Sequence, residues 1–396
     1  MNLPHVILQP KRAQPFFARH PWVFPGAVQA VEGDPVDGAE VDLVSSAGNF
    51  VARGFFNSKS KIRVRLYSWD TGRPLDESFF RDRIEAAQRL RHTLFGIDAQ
   101  QPAYRLIASE ADGISGLTVD RYDRWLVMQP TSLAIGIRRE MLADILMTTT
   151  GVDGIYLRTE RGVGKLEGLE LQDGPLRGAL PDGPLLIRED RVQYQVDLRQ
   201  GQKTGFFLDQ RSNRAVAARY LPGRDVLDCF SYSGGFALHA AMAGAKSIEC
   251  VDVSEPALAL AKQNAELNAL TNIEFVKADV FDHMAQLVTA KRQFGAVVLD
   301  PPKFARTRGA IPDALRGYRT LLGYALRLLG PDGILVMCCC SGLITAAEIE
   351  QVMAQVAIDV RRDLQILERR GQDADHPISV TCPESSYLKC FICRVL

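Results

Sequence analysis

The segment from residue 226 to 245, VLDCFSYSGGFALHAAMAGA, constrains the fold more than any other part of the chain. An apolar strand ends in Asp228, and an Ala-rich helix begins after the pair Gly234-Gly235. A strand, a glycine turn and a helix in this order are typical of the first β–α unit of a doubly wound parallel sheet. Glycines in such a turn let the backbone pass close to a ligand at the carboxyl end of the strand. The spacing differs from the dinucleotide fingerprint G-x-G-x-x-G.

The next predicted strand, in SIECVDVS, carries an acidic residue, Asp252, at its carboxyl end. A carboxylate at that position of such a sheet is placed to accept hydrogen bonds from two ribose hydroxyls. Together with the glycine turn it favours an adenosine-containing ligand without a pyrophosphate over NAD, and we expect S-adenosylmethionine. An ordinary strand-to-helix turn stays open as the alternative when the glycines are considered by themselves.

A second motif, AVVLDPPKF, follows a fully apolar strand, and the residues after the strand are Asp300, Pro301, Pro302 and Lys303. Two successive prolines lock φ and remove two backbone donors, so the turn and the Asp300 carboxylate are held rigidly. A planar base stacked on such a turn can be held through its amino edge. We therefore interpret the turn as a site for a nucleobase, with a merely rigid exit from the strand as the alternative.

A third motif, GILVMCCCSGL, ends a strand in three consecutive cysteines before Ser341-Gly342. Side chains alternate along a strand, so Cys338 and Cys340 share one face while Cys339 points to the other. Cys340 lies nearest the carboxyl rim, where ligands bind in such sheets, and its thiol is placed to attack carbon 6 of a pyrimidine. Cys338 and Cys339 are interpreted as buried small apolar residues.

The composition is that of an ordinary globular chain with equal numbers of basic and acidic residues, 47 of each in 396. Net charge therefore gives no hint of a nucleic-acid partner, and any basic surface has to be local. The eight cysteines all follow residue 228, a distribution unlike a disulfide framework, which predicts a reducing, cytoplasmic location. Cys390-x-x-Cys393 has neither a second pair nor a nearby His, so we expect no metal. We find no run typical of a signal peptide or a membrane span, and expect no membrane partner.

The chain divides into three predicted domains. Residues 1–75 show short β-rich runs with interleaved basic and aromatic residues, which suits an RNA-binding β module, although a solvated surface over an aromatic core explains most of these residues individually. Residues 76–190 show an α+β pattern without a catalytic constellation, and residues 174–184 are interpreted as a Pro/Gly-rich loop. Residues 191–396 alternate strands and helices, as expected for a parallel α/β sheet.

Two further segments contribute candidate site residues. The third strand of the sheet ends in Asp279, in reach of an adenine amino group if the ligand occupies the usual crevice. Just before the sheet, GQKTGFFLDQRSNR is polar and aromatic and is expected to lie over the cofactor or the substrate. We assign its Phe207 and Gln210 to the cofactor site and its Lys203 to the substrate site, together with Pro301, Pro302 and Lys303.

These motifs resemble those of the RlmI-type 23S ribosomal RNA methyltransferases, a bacterial family that makes 5-methylcytosine. The resemblance rests on HPWVF…GAV…GFFN, GQKTGFFLDQRSNR, LDCFSYSGGFALHAA, VDVS, DPPKF, the Cys-Ser-Gly after the fifth strand and DADHP…YLKCF, in this order over nearly the whole chain. It implies an N-terminal PUA domain, a small central α+β domain and a C-terminal class I methyltransferase domain with a Rossmann-like fold. It also implies S-adenosylmethionine as the cofactor and 23S ribosomal RNA as the partner.

Carried over by motif, the resemblance implies roles for individual residues. The S-adenosylmethionine site would be lined by Asp228, Phe230, Gly234, Asp252 and Asp279. Asp300 would hold the cytosine edge, and Cys340 would attack carbon 6 so that a covalent adduct activates carbon 5. The chain departs from the pattern at Lys303, which stands where many RNA 5-methylcytosine enzymes carry a second cysteine, so product release needs another base or Cys338.

Functions of other classes stay open at this stage. An RNA exocyclic-amine methyltransferase would use the same Asp-Pro-Pro turn without needing a thiol. A non-catalytic RNA-binding ribosome assembly factor would keep a vestigial cofactor site, and a dinucleotide oxidoreductase is disfavoured because its phosphate fingerprint is missing from the sequence. The target nucleotide, the choice between naked RNA and an assembled particle, and the oligomeric state, a homodimer included, are left open.

Overall fold

The computed structural model describes residues 3–96, 102–160, 162–199 and 204–396, and by packing it divides into two compact units. The first unit contains Met1–Ile187, Val196–Leu208 and Ala374–Ser385. The second contains Arg188–Gln195, Asp209–Asp373 and Ser386–Leu396. Each unit has its own sheets and its own apolar cores.

A six-stranded sheet forms the N-terminal part of the first unit. Its strands are β1 (His5–Leu8), β2 (Trp22–Val23), β3 (Val28–Glu32), β4 (Glu40–Val44), β5 (Phe50–Phe56) and β6 (Val64–Ser68). A short helix, α1 (Gln14–Phe17), lies between β1 and β2 in the sequence. The strand order is β2-β6-β5-β4-β1-β3, and alternate side chains of β1 and β4 build an apolar core. The predicted β-rich N-terminus is thereby confirmed. The run WVFPGAVQAV is divided by a 3-10 turn at Pro25–Ala27, since Pro25 has no N–H to donate to a ladder.

A five-stranded sheet with helices forms the rest of the first unit. Its elements are α2 (Glu77–Phe95), β7 (Ala103–Ala108), β8 (Leu117–Tyr122), β9 (Trp125–Pro130), α3 (Leu133–Ile137), α4 (Arg139–Thr150), β10 (Gly154–Leu157), α5 (Val163–Glu167) and β11 (Gly174–Gly178). The strand order is β11-β10-β9-β8-β7, and buried apolar side chains of α2 and α4 pack against it. Asp76 caps α2 by accepting a hydrogen bond from the Phe79 N–H, and Gly96 ends the helix at a positive φ.

The interpretation of residues 174–184 as a loop is wrong over its first half. Residues Gly174–Gly178 form the edge strand β11, which pairs antiparallel with β10. An edge strand tolerates glycine and proline because one side of it makes no ladder hydrogen bonds. The Gly178 backbone (φ +63°) passes so close to β10 that a Cβ would lie 1.9 Å from the carbonyl oxygen of Asp153. Composition therefore suggested a loop where tertiary pairing makes a strand.

A seven-stranded sheet covered by helices forms the second unit. The chain enters it through a hairpin of β12 (Leu185–Glu189) and β13 (Val192–Val196). The strands of the sheet are β14 (Asp225–Cys229), β15 (Ser247–Asp252), β16 (Ile273–Lys277), β17 (Phe294–Leu299), β18 (Leu329–Cys339), β19 (Leu364–Arg370) and β20 (Lys389–Val395). The helices are α6 (Arg211–Ala218), α7 (Gly235–Met242), α8 (Glu255–Leu267), α9 (Val280–Thr289), α10 (Ile311–Leu328) and α11 (Ala346–Val360).

The strand order of this sheet is β16-β15-β14-β17-β18-β20-β19. The first five strands run parallel, and β20 is antiparallel to both of its neighbours. The sequential order reverses between β14 and β17, so the loops after these two strands leave in opposite directions and open a crevice. The doubly wound α/β fold predicted for this part of the chain is confirmed, and the crevice lies where the three sequence motifs end.

Both faces of the seven-stranded sheet are buried, which explains its nearly continuous apolar strands. Cys338 belongs to the apolar cluster on one face and Cys339 to the cluster on the other, as the alternation along β18 predicts. Helix α10 is amphipathic, with Ala314, Tyr318 and Leu321 buried at helical spacing. Within the described residues, no helix is both long and apolar enough to cross a membrane.

Candidate active site at the carboxyl ends of the parallel strands

The turn between β14 and α7 holds three residues at positive φ: Phe230 at 60°, Tyr232 at 48° and Gly234 at 80°. Two of them are not glycine, so the backbone is strained at a place where strain is characteristic of ligand-binding loops. The turn is fastened by hydrogen bonds from the Gly234 N–H to the Ser231 carbonyl, 2.8 Å, and from the Ser231 N–H to the Val251 carbonyl, 3.1 Å. The loop is therefore preformed at the carboxyl end of β14.

Gly234 and Gly235 are required in the turn for two different steric reasons. At Gly234 a Cβ would lie 3.2 Å from the Cβ of Ala261 on α8, in addition to the left-handed φ. At Gly235 a Cβ would lie 2.9 Å from Cδ of Arg214 on α6. The sequence interpretation attributed both glycines to a close approach of a ligand, whereas Gly235 is required by the packing of the Arg214 side chain.

Asp228, at the end of β14, is buried and accepts one hydrogen bond, from the Ala237 N–H to Oδ2 at 3.0 Å. Its Oδ1 has no hydrogen-bond partner among the residues that the structure describes. Burial, with the negative charges of Asp300 and Asp252 nearby, raises the pKa of Asp228 to about 8. A buried carboxyl oxygen without a donor, near the carboxyl end of a parallel strand, indicates a site for a hydrogen-bond donor or a cation.

Asp252, at the end of β15, binds the glycine turn from the other side. Its Oδ2 accepts from the Tyr232 N–H at 2.9 Å and its Oδ1 from the Ser254 N–H at 2.8 Å. Each carboxylate oxygen keeps a second lone pair, and the side chain is partly exposed. Asp252 therefore holds the loop and has acceptor capacity left for two hydroxyl groups.

Asp279 and Phe230 form the outer part of this edge. Asp279 follows β16 and caps α9, its Oδ1 accepting from the N–H groups of Phe281 at 2.9 Å and Asp282 at 3.3 Å. The rings of Phe230 and Phe281 meet edge to face with their centroids 6.4 Å apart. The capping role accounts for the type of residue at Asp279, and its contact with an adenine stays a prediction.

Asp300, directly after β17, is oriented by a buried amide. Gln210 Nε2 donates to Asp300 Oδ1 at 3.1 Å, and Asn213 Nδ2 donates to Gln210 Oε1 at 2.6 Å. Both amides are buried, so this relay fixes the direction of the carboxylate. The sequence assigned Gln210 to the cofactor site, and the structure brings it to the carboxylate that the sequence assigned to the nucleobase.

Cys340, just beyond β18, joins the second and third motifs. Its Sγ donates to the carbonyl oxygen of Pro301, 3.7 Å away. Cys340 is partly exposed, whereas the other seven cysteines are buried. Pro301 is buried, and Pro302 and Lys303 are exposed beside it. The rigid turn and the rim thiol therefore meet, as the sheet topology predicts.

Cys338 is unsuited to proton transfer at this rim. It lies opposite Cys390 in the β18–β20 pairing and is fully buried. A hydrogen bond with Cys390, together with burial, raises the pKa of Cys338 well above the ordinary value for a thiol. Burial and the raised pKa argue against a role for Cys338 in product release, and that role stays a prediction.

Two further residues, Lys203 and Phe207, are predicted for the site from the sequence. Lys203 lies outside the described residues. Phe207 belongs to the first unit and is partly buried there. Their assignments to substrate and cofactor stay predictions.

Sequence reasoning missed a buried ionic network under the glycine turn. Glu189 accepts hydrogen bonds from Arg214 Nε at 2.9 Å and Nη2 at 2.6 Å, and His239 Nε2 lies 3.6 Å from it. Burial alone would raise the pKa of Glu189, but Arg214 and the other basic neighbours lower it to about 2. The network joins α6 and α7 where Gly235 of α7 packs against Arg214 of α6. No local motif indicates it, because its members come from separate elements.

His20, Cys382 and Glu384 of the first unit form a group whose side-chain ligand atoms lie within 4.8 Å of one another. His20 Nδ1 accepts from the Trp22 N–H at 3.3 Å, so the proton of the neutral ring resides on Nε2, 3.4 Å from Glu384. The Cys382 thiol donates to the same carboxylate at 3.6 Å, and burial raises the pKa of Cys382 to about 12. These three groups fit a hydrogen-bonded cluster better than a set of metal ligands, which have to be deprotonated.

Comparison with known families identifies the class of protein. A family model described as S-adenosylmethionine-dependent methyltransferase matches residues 180–378, and a PUA-like domain model matches residues 6–69. The first match contains the glycine turn, the rigid turn after β17 and the rim cysteine. The chain is therefore an S-adenosylmethionine-dependent methyltransferase with a PUA-like domain, which confirms the cofactor and the N-terminal domain that the sequence predicts.

Full-length relatives identify the family within that class. Ribosomal RNA large subunit methyltransferase I of Salmonella arizonae is 41% identical over 397 residues, covering 100% of this chain and 98% of the relative. The protein of the same name from Citrobacter koseri is 41% identical over 393 residues, covering 99% of each chain. The chain belongs to the family of ribosomal RNA large subunit methyltransferase I.

Solved structures agree on the fold. A methyltransferase complexed with SAH superimposes with a TM-score of 0.86 at 22% identity, and an S-adenosylmethionine-dependent methyltransferase from Streptococcus mutans with 0.84 at 21%. Each comparison covers 100% of both chains. The same fold therefore recurs in these structures at low sequence identity.

The described residues fit S-adenosylmethionine. The donorless Oδ1 of Asp228 suits a cationic or donor group of the cofactor, and the acceptors of Asp252 suit the ribose hydroxyls. Gly234 keeps the turn free of a Cβ at the carboxyl end of β14. The other side of the same edge presents Asp300 and Cys340, so the cofactor and the group to be methylated would meet over β14 and β17.

Replacing Asp252 with Ala is expected to weaken binding of S-adenosylmethionine about a hundredfold or more. Two hydrogen bonds to a charged acceptor contribute roughly 1.5–3 kcal/mol each, and the Tyr232 N–H loses its acceptor as well. Titration calorimetry on folded protein measures the change. Asp363→Ala, which removes an exposed carboxylate of the same unit, is the matched control. Affinity within twofold of the unaltered protein would remove Asp252 from the cofactor site.

Proposed function

We propose that the protein methylates carbon 5 of a cytosine in 23S ribosomal RNA, through a covalent adduct with Cys340. The observation that carries this proposal is the position of the Cys340 thiol. It is the partly exposed cysteine at the carboxyl rim, and its Sγ lies 3.7 Å from the carbonyl oxygen of Pro301, in the turn that carries Asp300. A methyltransferase acting on an exocyclic amine has no chemical need for a thiol at that place.

The proposed substrate has support from the family and from the first unit. The relatives named above carry ribosomal RNA large subunit methyltransferase in their names. In the PUA-like domain Phe17 and Phe24 are exposed, as are Lys11, Arg12 and Arg19. Exposed aromatic rings stack on unpaired bases, and the basic side chains bind phosphates. The restriction to 23S RNA rests on the resemblance of the motifs, and a cytoplasmic location follows from this substrate.

The chemistry requires a nucleophile because carbon 5 of cytosine is itself unreactive. The Cys340 thiolate adds to carbon 6, which breaks the 5,6 double bond and makes carbon 5 nucleophilic. S-adenosylmethionine, when bound, would supply the electrophilic methyl group to carbon 5, and its S–CH3 bond would break to leave S-adenosylhomocysteine. A base then removes the proton from carbon 5, the bond from sulfur to carbon 6 breaks, and the double bond returns. The free thiolate is regenerated, so Cys340 is not consumed.

Asp300 supports the addition step. Negative charge develops at ring nitrogen 3 when the thiolate adds to carbon 6. Asp300 in its protonated form, or through a bridging proton, would stabilise that charge by hydrogen bonding to the nitrogen 3 and amino edge. The Gln210–Asn213 relay holds the carboxylate in one direction, and the two prolines after it keep the backbone rigid. The target base has to leave its stack to reach these groups, which adds selectivity for loops or ends of the RNA.

Nucleoside analysis tests the proposed function directly. Ribosomal RNA that lacks the modification is incubated with the protein and methyl-labelled S-adenosylmethionine, digested to nucleosides and separated by chromatography coupled to mass spectrometry. We expect the label in 5-methylcytidine. Label in an N-methylated nucleoside would show that the protein is instead an exocyclic-amine methyltransferase. RNA that binds the protein tightly but carries no label would favour the ribosome assembly factor.

A further inference from the structure

Lys389, the first residue of β20, ties the rim strand to its neighbour. Its Nζ donates to the Ser341 carbonyl at 2.7 Å and to the Tyr387 carbonyl at 3.3 Å. A Cβ built on Gly342 would lie 3.7 Å from the Tyr387 Cβ, so the segment after Cys340 packs along the segment before β20. The ammonium group therefore fixes the backbone immediately after the rim cysteine.

The charge of Lys389 is costly where it lies. The side chain is half-buried, and burial lowers the pKa of Lys389 although Cys339, Cys340 and Glu348 favour its charged form and Lys303 opposes it. Among the described residues no carboxylate lies within ion-pair distance of its Nζ. A half-buried cation whose hydrogen-bond acceptors are neutral carbonyls keeps its field available to neighbouring groups.

The positive charge of Lys389 would favour the reactive, ionised form of Cys340. Its thiol donates to the Pro301 carbonyl in the structure, and a hydrogen bond of this kind favours the neutral thiol. Attack on a pyrimidine requires the thiolate, which nearby lysines stabilise at known reactive cysteines. Glu348, at the start of α11, is engaged with the Thr345 N–H at 2.7 Å and the Thr345 hydroxyl at 2.8 Å, as the helix cap requires.

We propose that Lys389 is a positioning residue for Cys340. Its ammonium group fixes the backbone after Cys340 through the Ser341 carbonyl, and its positive charge stabilises the Cys340 thiolate. The proton that leaves Sγ passes to solvent, and the thiolate is then ready to add to carbon 6. This inference rests on the proposed function in one respect, namely that Cys340 is the nucleophile. Lys389 itself touches neither the base nor the cofactor in this scheme.

Alkylation of the intact, full-length protein by iodoacetamide tests the inference without any methyl transfer. The rate of carbamidomethylation at Cys340 is followed from pH 6 to pH 9 by peptide mass spectrometry, which separates it from the seven buried cysteines. Lys389→Met is expected to slow the reaction at pH 7 roughly five- to tenfold and to shift the midpoint of the pH–rate curve upward. At high pH the rates of variant and unaltered protein should converge, since the thiolate is then fully formed in both.

Matched variants separate charge from packing. Lys389→Arg keeps the charge and should react within about twofold of the unaltered protein. Lys262→Met removes an exposed lysine of the same unit and should change nothing. Lys389→Gln, which keeps an amide donor for the Ser341 carbonyl, repeats the test if the Met variant does not fold, and is expected to be as slow as Met.

A pH–rate curve of Lys389→Met or Lys389→Gln that coincides with that of the unaltered protein overturns the inference. So does an Arg variant as slow as Met, because charge would then not be the cause. The result is distinguishable from failure of the proposed function, because the labelled nucleoside and the alkylation rate are measured separately. An N-methylated product with an unchanged dependence of alkylation on Lys389 would reject the carbon-5 reaction alone.

Discussion

Replacing Cys340 with Ala is expected to lower the rate of methyl transfer by at least about a thousandfold, since covalent activation of carbon 5 is lost with the nucleophile. The fold should be unaffected, because the side chain is partly exposed and the hydrogen bond from its sulfur to the Pro301 carbonyl, at 3.7 Å, is weak. Binding of S-adenosylmethionine should stay near its original affinity, since Cys340 lies across the edge from Asp228 and Asp252. Methyl incorporation into RNA and titration calorimetry measure the two quantities.

Cys338→Ala and Cys339→Ala are the matched controls for this prediction. Both side chains are fully buried, on opposite faces of the sheet, so each variant should lose roughly 1 kcal/mol of stability through a small cavity and still turn over. RNA containing 5-fluorocytosine at the target sharpens the test, because fluorine does not leave as a proton does. The unaltered protein should be trapped as an adduct on the peptide containing Cys340. A near-normal rate of methyl transfer by Cys340→Ala would contradict the covalent mechanism.

Much of the candidate site could be predicted from sequence because its residues end parallel strands. Asp228, Asp252 and Asp300 directly end or follow β14, β15 and β17, and Cys340 follows β18. In a parallel sheet all carboxyl ends lie at one edge, so local recognition of each strand implies that the side chains converge. The apolar runs that identify these strands arise because both faces of the sheet are buried.

Other parts of the site could not be predicted because they depend on contacts distant in sequence. Gln210 reaches Asp300 across 90 positions, and Lys389 reaches the Ser341 carbonyl across 48. Neither pair has a local pattern, since a hydrogen bond between elements is decided by how those elements pack. The ionic network of Glu189, Arg214 and His239 is hidden for the same reason.

Predictions of local structure are wrong where tertiary contacts decide between a helix, a strand and a loop. The apolar spacing of IGIRREMLADILMTT predicts one amphipathic helix, but α3 ends at Ile137 and α4 begins at Arg139. The glycine and proline content of residues 174–184 predicts a loop, but Gly174–Gly178 form a strand because they pair with β10, which lies elsewhere in the sequence. Apolar periodicity identifies which face of a helix or strand is buried. Whether a strand finds a partner, or a helix is interrupted, depends on tertiary contacts.

The pH dependence of stability should identify Asp228 as a carboxyl that is neutral in the folded protein without ligand. Below its unfolded pKa, near 4, both states hold the proton, and above a folded pKa of about 8 both have released it. Between these values the folded state binds the proton that the unfolded state has lost. The contribution of Asp228 to stability is therefore present at low pH and lost as pH rises, by about 1.4 kcal/mol for each pH unit.

Asp228→Asn removes this term and keeps an acceptor for the Ala237 N–H. The free energy of unfolding of the variant, relative to the unaltered protein, is therefore expected to rise by about 2.5 kcal/mol between pH 5 and pH 7. Urea unfolding without cofactor, followed by circular dichroism, measures both proteins at each pH. Taking the difference cancels every other titrating group, because the two chains share them.

Asp225→Asn on the same strand is the matched control, since Asp225 is partly exposed and hydrogen bonds from Ser247 and Lys246 lower its pKa. Its carboxylate is ionised in both states from pH 5 to pH 7, so the difference for this variant should be flat over that range. A flat difference for Asp228→Asn as well would mean that Asp228 is already ionised when folded. A cationic or hydrogen-bond-donating group would then have to contact its Oδ1 in the protein without ligand. Oδ1 of Asp228 would in that case not be available to bind the cofactor.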